Sequence, residues 1–438
     1  MQTLLAVTAA LFIIIVAAQV CGRVATRVGQ PAVVGEMVSG ILLGPTVLGA
    51  LAPGFSGYVF SESTKPTLYV IAMVGLSLYM FLVGLEHEHH PSSRKDAVLP
   101  IVLAVAGLVF PLLAGGAAAL YLEGDFRPEG VDLPLFVLFV GGALSVTAFP
   151  MLARVLQERR MMQTDFGGVA TRAAAVDDAM AWCILAVVGA LAVHGNWLGS
   201  WRTIVPAAVF AVAAFVLLPR IFRKPMQRAV HAGQIDDRLL VTLLALVLAA
   251  GWFTDYIGIY SVFGGFICGM ALPKVRGFSE LLNGRVMQVV RCLFLPTFFA
   301  FSGLNTDLTS AFNADYLLAF AVVFVAAFAS KAIASLSVLR AFRWSWGESI
   351  AMGGLMNARG LMILIFINIG LALGVIETQL FSILVLIAVL TTALAVPAYR
   401  VHFTADREQA ARESWAVRRF PDDYRGDLLN PPEMAAKK

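Results

Sequence analysis

The chain has 438 residues, of which 59% are hydrophobic and only 14% charged, and its mean hydropathy is +0.82. That balance excludes an ordinary soluble domain and indicates a polytopic membrane protein. The formal net charge of +4 matters for where its basic residues fall, and nothing in it suggests nucleic acid.

Apolar stretches of about 20 residues, enough to cross a ~30 Å hydrocarbon core as a helix, recur along the chain. They predict an all-α protein of thirteen spans at 2–22, 31–50, 64–86, 97–121, 133–153, 166–193, 202–220, 238–254, 258–273, 287–303, 315–339, 347–373 and 378–399. No Lys or Arg precedes the first apolar run, which argues against a cleaved secretory signal and for a retained helix. Lys and Arg collect on the cytoplasmic side of membrane proteins. With the N-terminus outside, the inner loops carry Arg23, Arg27, Arg94, Lys95, Arg154, Arg159, Arg160, Arg220, Arg223, Lys224, Arg228, Arg238, Lys274, Arg276, Arg285, Arg340 and Arg343, against Lys65, Arg127 and Arg202 outside. This asymmetry predicts an inner-membrane protein with its N-terminus outside and its C-terminus in the cytoplasm.

Taken in order, the second span contains "GILLG" (Gly40 to Gly44), a spacing that lets helices approach closely. After the third, "GLEHEHHPSSRKD" places His87, His89 and His90 in a short inner loop. Pro91 stands where a zinc-binding HExxH pattern needs its second His, so a solvated loop is expected and no metal site. The fifth span reads "GGALSVTAFPMLARVL": Pro150 lacks an amide hydrogen and should free the carbonyl near Val146, beside the hydroxyls of Ser145 and Thr147. The ninth repeats the glycine spacing in "GFICG" (Gly265 to Gly269), and the twelfth places Asn357, Arg359 and Gly360 at mid-span. The second and ninth spans, like the fifth and twelfth, are seven apart and so run in opposite directions. Matched pairs at one offset predict an inverted repeat with two crossed broken helices. Cys21, Cys183, Cys268 and Cys292 have no metal or redox spacing and read as small packing residues. Residues 402–438 form a polar tail too short for a nucleotide-binding domain.

The sixth span carries the least expected residues. Asp177 and Asp178 lie in "AAAVDDAMAWCILAVV", where each carboxylate costs roughly 2.5–3.5 kcal/mol on an insertion scale. Asp178 lies about twelve residues into its helix, roughly 18 Å deep and close to the midplane. Other ionisable residues within the predicted spans include Lys331, Arg172, Arg291 and Arg359. A structural ion pair with Lys331 leaves one carboxylate over, and surplus negative charge invites a cation or a proton. A site that holds either, but not both, makes exchange obligatory if the unoccupied, charged state crosses the barrier poorly.

"QPAVVGEMVSGILLGPTVLG" (Gln30 to Gly49), "FLVGLE" (Phe81 to Glu86), "ALSVTAFPMLARVL" (Ala143 to Leu156), "AAAVDDAMAW" (Ala173 to Trp182), "FFAFSGLNTDL" (Phe298 to Leu308) and "GLMNARGLMILIFINIGL" (Gly354 to Leu371) together resemble the monovalent cation:proton antiporter-2 family. The likeness extends to plant cation/H+ exchangers and to bacterial potassium-efflux and sodium/proton antiporters, over nearly all of residues 1–400. It implies a homodimer with the sodium/proton-antiporter fold that exchanges Na+ or K+ for H+ and uses no cofactor and no enzymatic chemistry. A core domain, about 64–193 and 315–373, would move within the exchanger domain 1–401 against a dimerisation domain. By the family's pattern Asp178 alternately holds cation and proton, Asp177 is its partner position and Lys331 the facing basic residue. Ser145, Thr147, Asn357 and Arg359 mark the crossover. Asp177 stands where many plant-like members have Asn, so selectivity and stoichiometry do not transfer with the resemblance. Export of an organic cation or small metabolite, and a cation channel, are the alternative readings. An intramembrane aspartyl protease needs facing carboxylates, whereas neighbours on one helix point about 100° apart.

Overall fold

The computed structural model describes residues 2–86, 94–162, 164–194, 199–308 and 314–419. His87, His89 and His90, and most of the tail, lie outside the described residues. In chain order the helices are α1 (Gln2–Arg27), α2 (Ala32–Leu43), α3 (Pro53–Val59), α4 (Lys65–Glu86), α5 (Arg94–Phe126), α6 (Leu133–Ser145), α7 (Phe149–Glu158), α8 (Asp165–His194) and α9 (Trp201–Ala232). They continue as α10 (Asp237–Tyr256), α11 (Ser261–Ala271), α12 (Phe278–Val289), α13 (Leu295–Leu304), α14 (Ala314–Ala341), α15 (Trp346–Leu355), α16 (Gly360–Ala372), α17 (Thr378–His402) and α18 (Ala405–Arg419). A π turn at Pro45–Gly49 extends α2, and another at Val290–Phe294 joins α12 to α13.

Among the described residues eleven helical segments are long and apolar enough to cross a membrane, and the bent pair α15–α16 makes a twelfth. The expected ninth span is α11, whose 11 residues cover only about 16 Å at ~1.5 Å per residue. Gly258, with φ of +85°, and Pro273 bracket it. Other helices outrun their apolar stretch. α9 continues through the basic segment Arg220–Ala232, and α12 starts at Phe278, well before the apolar run. Hydropathy reports the thickness of hydrocarbon, whereas backbone hydrogen bonding carries a helix on into water until a stop such as Gly233 (φ +66°). α15 begins where Ser345 and Glu348 form a reciprocal capping box.

Helix packing follows the predicted inverted repeat. Moving each span seven places along carries the α1–α2 contact onto α10–α11, α5–α6 onto α14–α15, and α5–α8 onto α14–α17; it also exchanges α2–α13 with α11–α4. The predicted glycines make the last two contacts close. A methyl group on Gly40 would lie 2.1 Å from the Phe299 carbonyl oxygen, and one on Gly269 the same distance from that of Phe81. Gly303 and Gly84 face them from α13 and α4. Most close packing falls within two sets: α1, α2, α4 and α10 to α13 in one, α5 to α8 and α14 to α17 in the other. α9 touches both sets and stands outside the repeat. Of the cysteines, only Cys268 is buried, while Cys183 and Cys292 face outward, so the packing role expected for them holds for one of these three.

A methyl at Gly303 would lie 2.0 Å from the Gly40 backbone, while nothing lies within 4 Å of one at Gly54. Gly303→Ala should therefore lower stability by roughly 1–3 kcal/mol, seen as a drop of several degrees in Tm in detergent. Gly54→Ala should leave Tm unchanged, and equal Tm for the two variants would refute the close contact.

Candidate ion site at the helix crossover

Two breaks in the helical ladder build the site. In the fifth span α6 ends at Ser145, Val146 and Ala148 are extended, and α7 restarts at Phe149 with Pro150 in its first turn. A proline ring cannot continue the ladder but suits a helix start. In the twelfth span α15 ends at Leu355, and α16 restarts at Gly360 with a 43° bend. Gly360 has φ of +46°, a conformation open to glycine at little cost. The breaks meet. The Ala148 amide donates to the Ala358 carbonyl at 3.0 Å, and the Thr147 hydroxyl to the Met356 carbonyl at 3.2 Å. The Gly360 amide donates to Thr392 Oγ1 at 2.9 Å.

α8 brings the acids to this crossing. Asp177 and Asp178 are both fully buried, and Asp178 is the fourteenth of the helix's 30 residues, about 20 Å from its start at ~1.5 Å per residue. Lys331 of α14, also fully buried, places Nζ 3.0 Å from Asp177 Oδ2 and donates to the Ser145 carbonyl. Arg359, equally buried, donates to the Leu144 carbonyl and, at 2.6 Å, to that of Ala327. The carbonyl end of α6 is thus capped by two cations. At the opposite polarity, the amide start of α7 at Phe149 lies beside Asp178. Lys331, Arg359 and Asp178 thus each lie at a helix end of complementary sign. Among the described residues, no hydrogen-bond partner reaches Asp178 Oδ1 or Oδ2, Asp177 Oδ1 or Asn357 Oδ1.

The sequence-predicted residues therefore come together, with some differences of role. Asn357 donates to the carbonyls of Gly353 (2.9 Å) and Phe328 (3.3 Å), tying α15 to α14. The Ser145 hydroxyl turns back to the Gly142 carbonyl at 2.7 Å, so its carbonyl, not its hydroxyl, faces Lys331. Arg359 corrects the charge count, which had set two carboxylates against one ammonium: two buried acids stand with two buried bases. Arg172 is half-buried and makes no bond to the cluster, and Arg291 is exposed beside Glu36 and Glu86. Sequence reading missed Thr392, although the pair Thr391–Thr392 inside an otherwise apolar span was a visible signal.

The chain matches a protein-family model described as sodium/hydrogen exchanger, transmembrane, over residues 10–400. It is 36% identical over 398 residues to the Na(+)/H(+) antiporter NhaS4 of Synechocystis sp., covering 90% of this chain and 97% of the relative. Identity to the cation/H(+) antiporter 18 of Arabidopsis thaliana is 35%, over 88% of this chain and 47% of the relative. For the K(+)/H(+) antiporter 1 of Saccharomyces cerevisiae it is 28%, over 88% and 45%; the chain thus spans about half the length of the plant and yeast proteins. Its fold is similar to that of the sodium proton antiporter MjNhaP1 from Methanocaldococcus jannaschii, with a TM-score of 0.63 at 15% identity over 93% of this chain and 99% of that one. With the motifs, the helix packing and a family match over most of its length in agreement, the chain belongs to the sodium/hydrogen exchanger family.

Proposed function

We propose that this protein exchanges a monovalent cation, Na+ or K+, for protons by alternating access, with Asp178 as the shared site and Asp177 as its partner. The observation that carries this reading is the environment of Asp178. It is a carboxylate at mid-helix depth that, among the described residues, no cation bonds; it lies beside the amide end of a broken helix, while its neighbour is already paired. Alkali cations take oxygen ligands, and the unpartnered oxygens of Asp177, Asp178 and Asn357 are of that kind. Protonation of the acid serves the same electrostatic need, so the two occupants exclude one another.

The packing sets supply the moving parts. α5 to α8 and α14 to α17 carry the ions, and α1, α2, α4 and α10 to α13 form the scaffold on which a homodimer assembles. This division differs from the sequence expectation at two helices. α4 packs on α11 and α13, whereas α17 packs on α15 and α16. The asymmetry of basic residues supports an inner-membrane placement with the N-terminus outside.

Asp178→Asn should abolish cation-dependent collapse of a pH gradient in proteoliposomes, tested with Na+, K+, Li+ and Rb+, without lowering Tm. Normal exchange by that variant would remove Asp178 from the mechanism, and no response of the wild type to any cation would favour an organic substrate. Removing one partner of a buried pair costs roughly 3–5 kcal/mol, so Asp177→Asn and Lys331→Gln should each lower Tm. The double variant should recover part of the loss, and strict additivity would deny the pair. If the cation displaces a proton from the Asp177–Lys331 pair as well as from Asp178, two protons exchange for one cation. A 100 mV potential then acts with ~2.3 kcal/mol. Reversal potentials in voltage-clamped proteoliposomes should shift with voltage in the wild type and stay put in Lys331→Gln if that variant still exchanges; a wild-type reversal point unmoved by voltage would establish one-for-one exchange.

A further inference from the structure

At the basic end of the protein a cavity of about 740 Å³ lies between the α1–α2 turn around Gly29 and a wall formed by α7, α17 and α18. Among the described residues, four arginines, Arg159, Arg160, Arg400 and Arg412, and one acid, Glu408, line that wall, a balance of three positive charges. Glu408 is 5% exposed and organises part of the wall. Arg159 donates to it at 2.6 Å, the Tyr399 hydroxyl at 2.9 Å, and Arg412 Nη1 lies 3.8 Å away while donating to the Arg159 carbonyl at 3.0 Å. The Arg159 guanidinium also stacks 5.4 Å from the centre of the Tyr399 ring. Arg160 and Arg400 pair with no acid among the described residues. Arg160 holds φ of +56°, a left-handed conformation uncommon for a residue with a side chain, at the turn where glycine most often ends a helix.

The tendency of basic residues to collect at cytoplasmic helix ends accounts for their number but not for their convergence on one cavity. Three net positive charges repel Na+ and K+, so the cavity is no access route for the transported cation. Guanidinium groups match phosphate oxygens in planar, two-point hydrogen bonds, and basic pockets between helices on the cytoplasmic side take anionic headgroups. We infer that this cavity binds a phosphate-bearing anion, from a lipid headgroup or a soluble phosphate ester, which bridges the α1–α2 turn to the α7–α17–α18 wall and slows exchange. The effect on exchange rests on the proposed movement of the two helix sets; binding itself does not.

The test uses the full chain and the Arg160→Gln/Arg400→Gln variant, whose substituted side chains are both exposed. Pyrophosphate is titrated calorimetrically in detergent at low salt, and Tm is measured with phosphatidylcholine alone and with added phosphatidylglycerol. Saturable pyrophosphate binding that weakens about tenfold in the variant, a loss of ~1.4 kcal/mol, supports the site with a soluble ligand. A rise in Tm with phosphatidylglycerol that the variant loses, without pyrophosphate binding, supports it with a lipid ligand. Equal responses of wild type and variant to both probes, or no response to either, overturn the inference. Should the wild type bind as stated yet exchange no cation, the site stands and the antiport reading falls.

Discussion

Backbone polar groups inside a membrane must be satisfied by the protein itself, and the crossing of two broken helices is where this chain meets that demand. Each break frees amides and carbonyls that would each cost several kcal/mol in hydrocarbon. The chain satisfies some by joining one break to the other, Ala148 to Ala358 and Thr147 to Met356. It satisfies others with cations, placing Lys331 and Arg359 on the last carbonyls of α6. The dependence is mutual. Two buried cations would be ruinous without those carbonyls, and the carbonyls would be orphans without the cations. The proposed ion site is thus a consequence of interrupting the helices, since only an interruption offers amide and carbonyl ends at mid-membrane depth.

The same repeat that pairs the breaks also organises what surrounds them. Within one helix set, α2 meets α13 and α11 meets α4 through glycines at backbone contact, an arrangement with little freedom to slide. Between the helix sets the bonding is of another kind. Asn368 donates to Ser302 Oγ at 2.7 Å, the Tyr260 hydroxyl to the Ile369 carbonyl at 3.4 Å and the Asp307 amide to Ser382 Oγ at 2.9 Å. All three lie toward the end that the proposed orientation places outside, and the arginine-lined cavity lies at the other. Because the halves are related by an inverted repeat, a closure made at one end has a counterpart available at the other. A few single hydrogen bonds are the sort of closure that can be exchanged, whereas interlocked glycine backbones are not.

Features legible in the sequence were those that violate the surrounding composition. Asp177, Asp178 and Lys331 stand out because charge in an apolar span is costly, and Pro150 and Gly360 because they interrupt a helical pattern. The seven-span offset was legible because glycine spacings and breaks each occurred twice. Illegible features depend on which surfaces meet. Apolar patterns on α4 and α17 say that each is buried but not against what, so their membership in the two sets emerged only from packing. The ends of α9 and α12 were hidden because hydropathy falls where hydrocarbon ends, not where the helix does. Arg359 was recognised as intramembrane, yet its partners are carbonyls of Leu144 and Ala327, residues whose side chains give no sign of an acceptor.

Arg359 also changes what the proposed exchange must explain about a site carrying neither proton nor cation. With both acids and both bases ionised, the buried cluster sums to zero, so net charge by itself does not forbid the empty site from crossing the barrier. The charges are nevertheless not interchangeable. Arg359 is committed to carbonyls and Lys331 to Asp177 and a carbonyl, while Asp178 has only the helix start at Phe149 beside it. In the proposed cycle, moving the site past an apolar surface removes whatever water hydrates Asp178, and neither Lys331 nor Arg359 can turn to replace it without abandoning a helix end. In the proposed exchange, coupling then arises from the local field at one carboxylate, within a cluster that is neutral as a whole. A proton or an alkali cation on Asp178 relieves that field equally, and either raises the net charge by one, so the carried charge differs between the two legs of the cycle only if the Asp177–Lys331 pair changes its protonation as well.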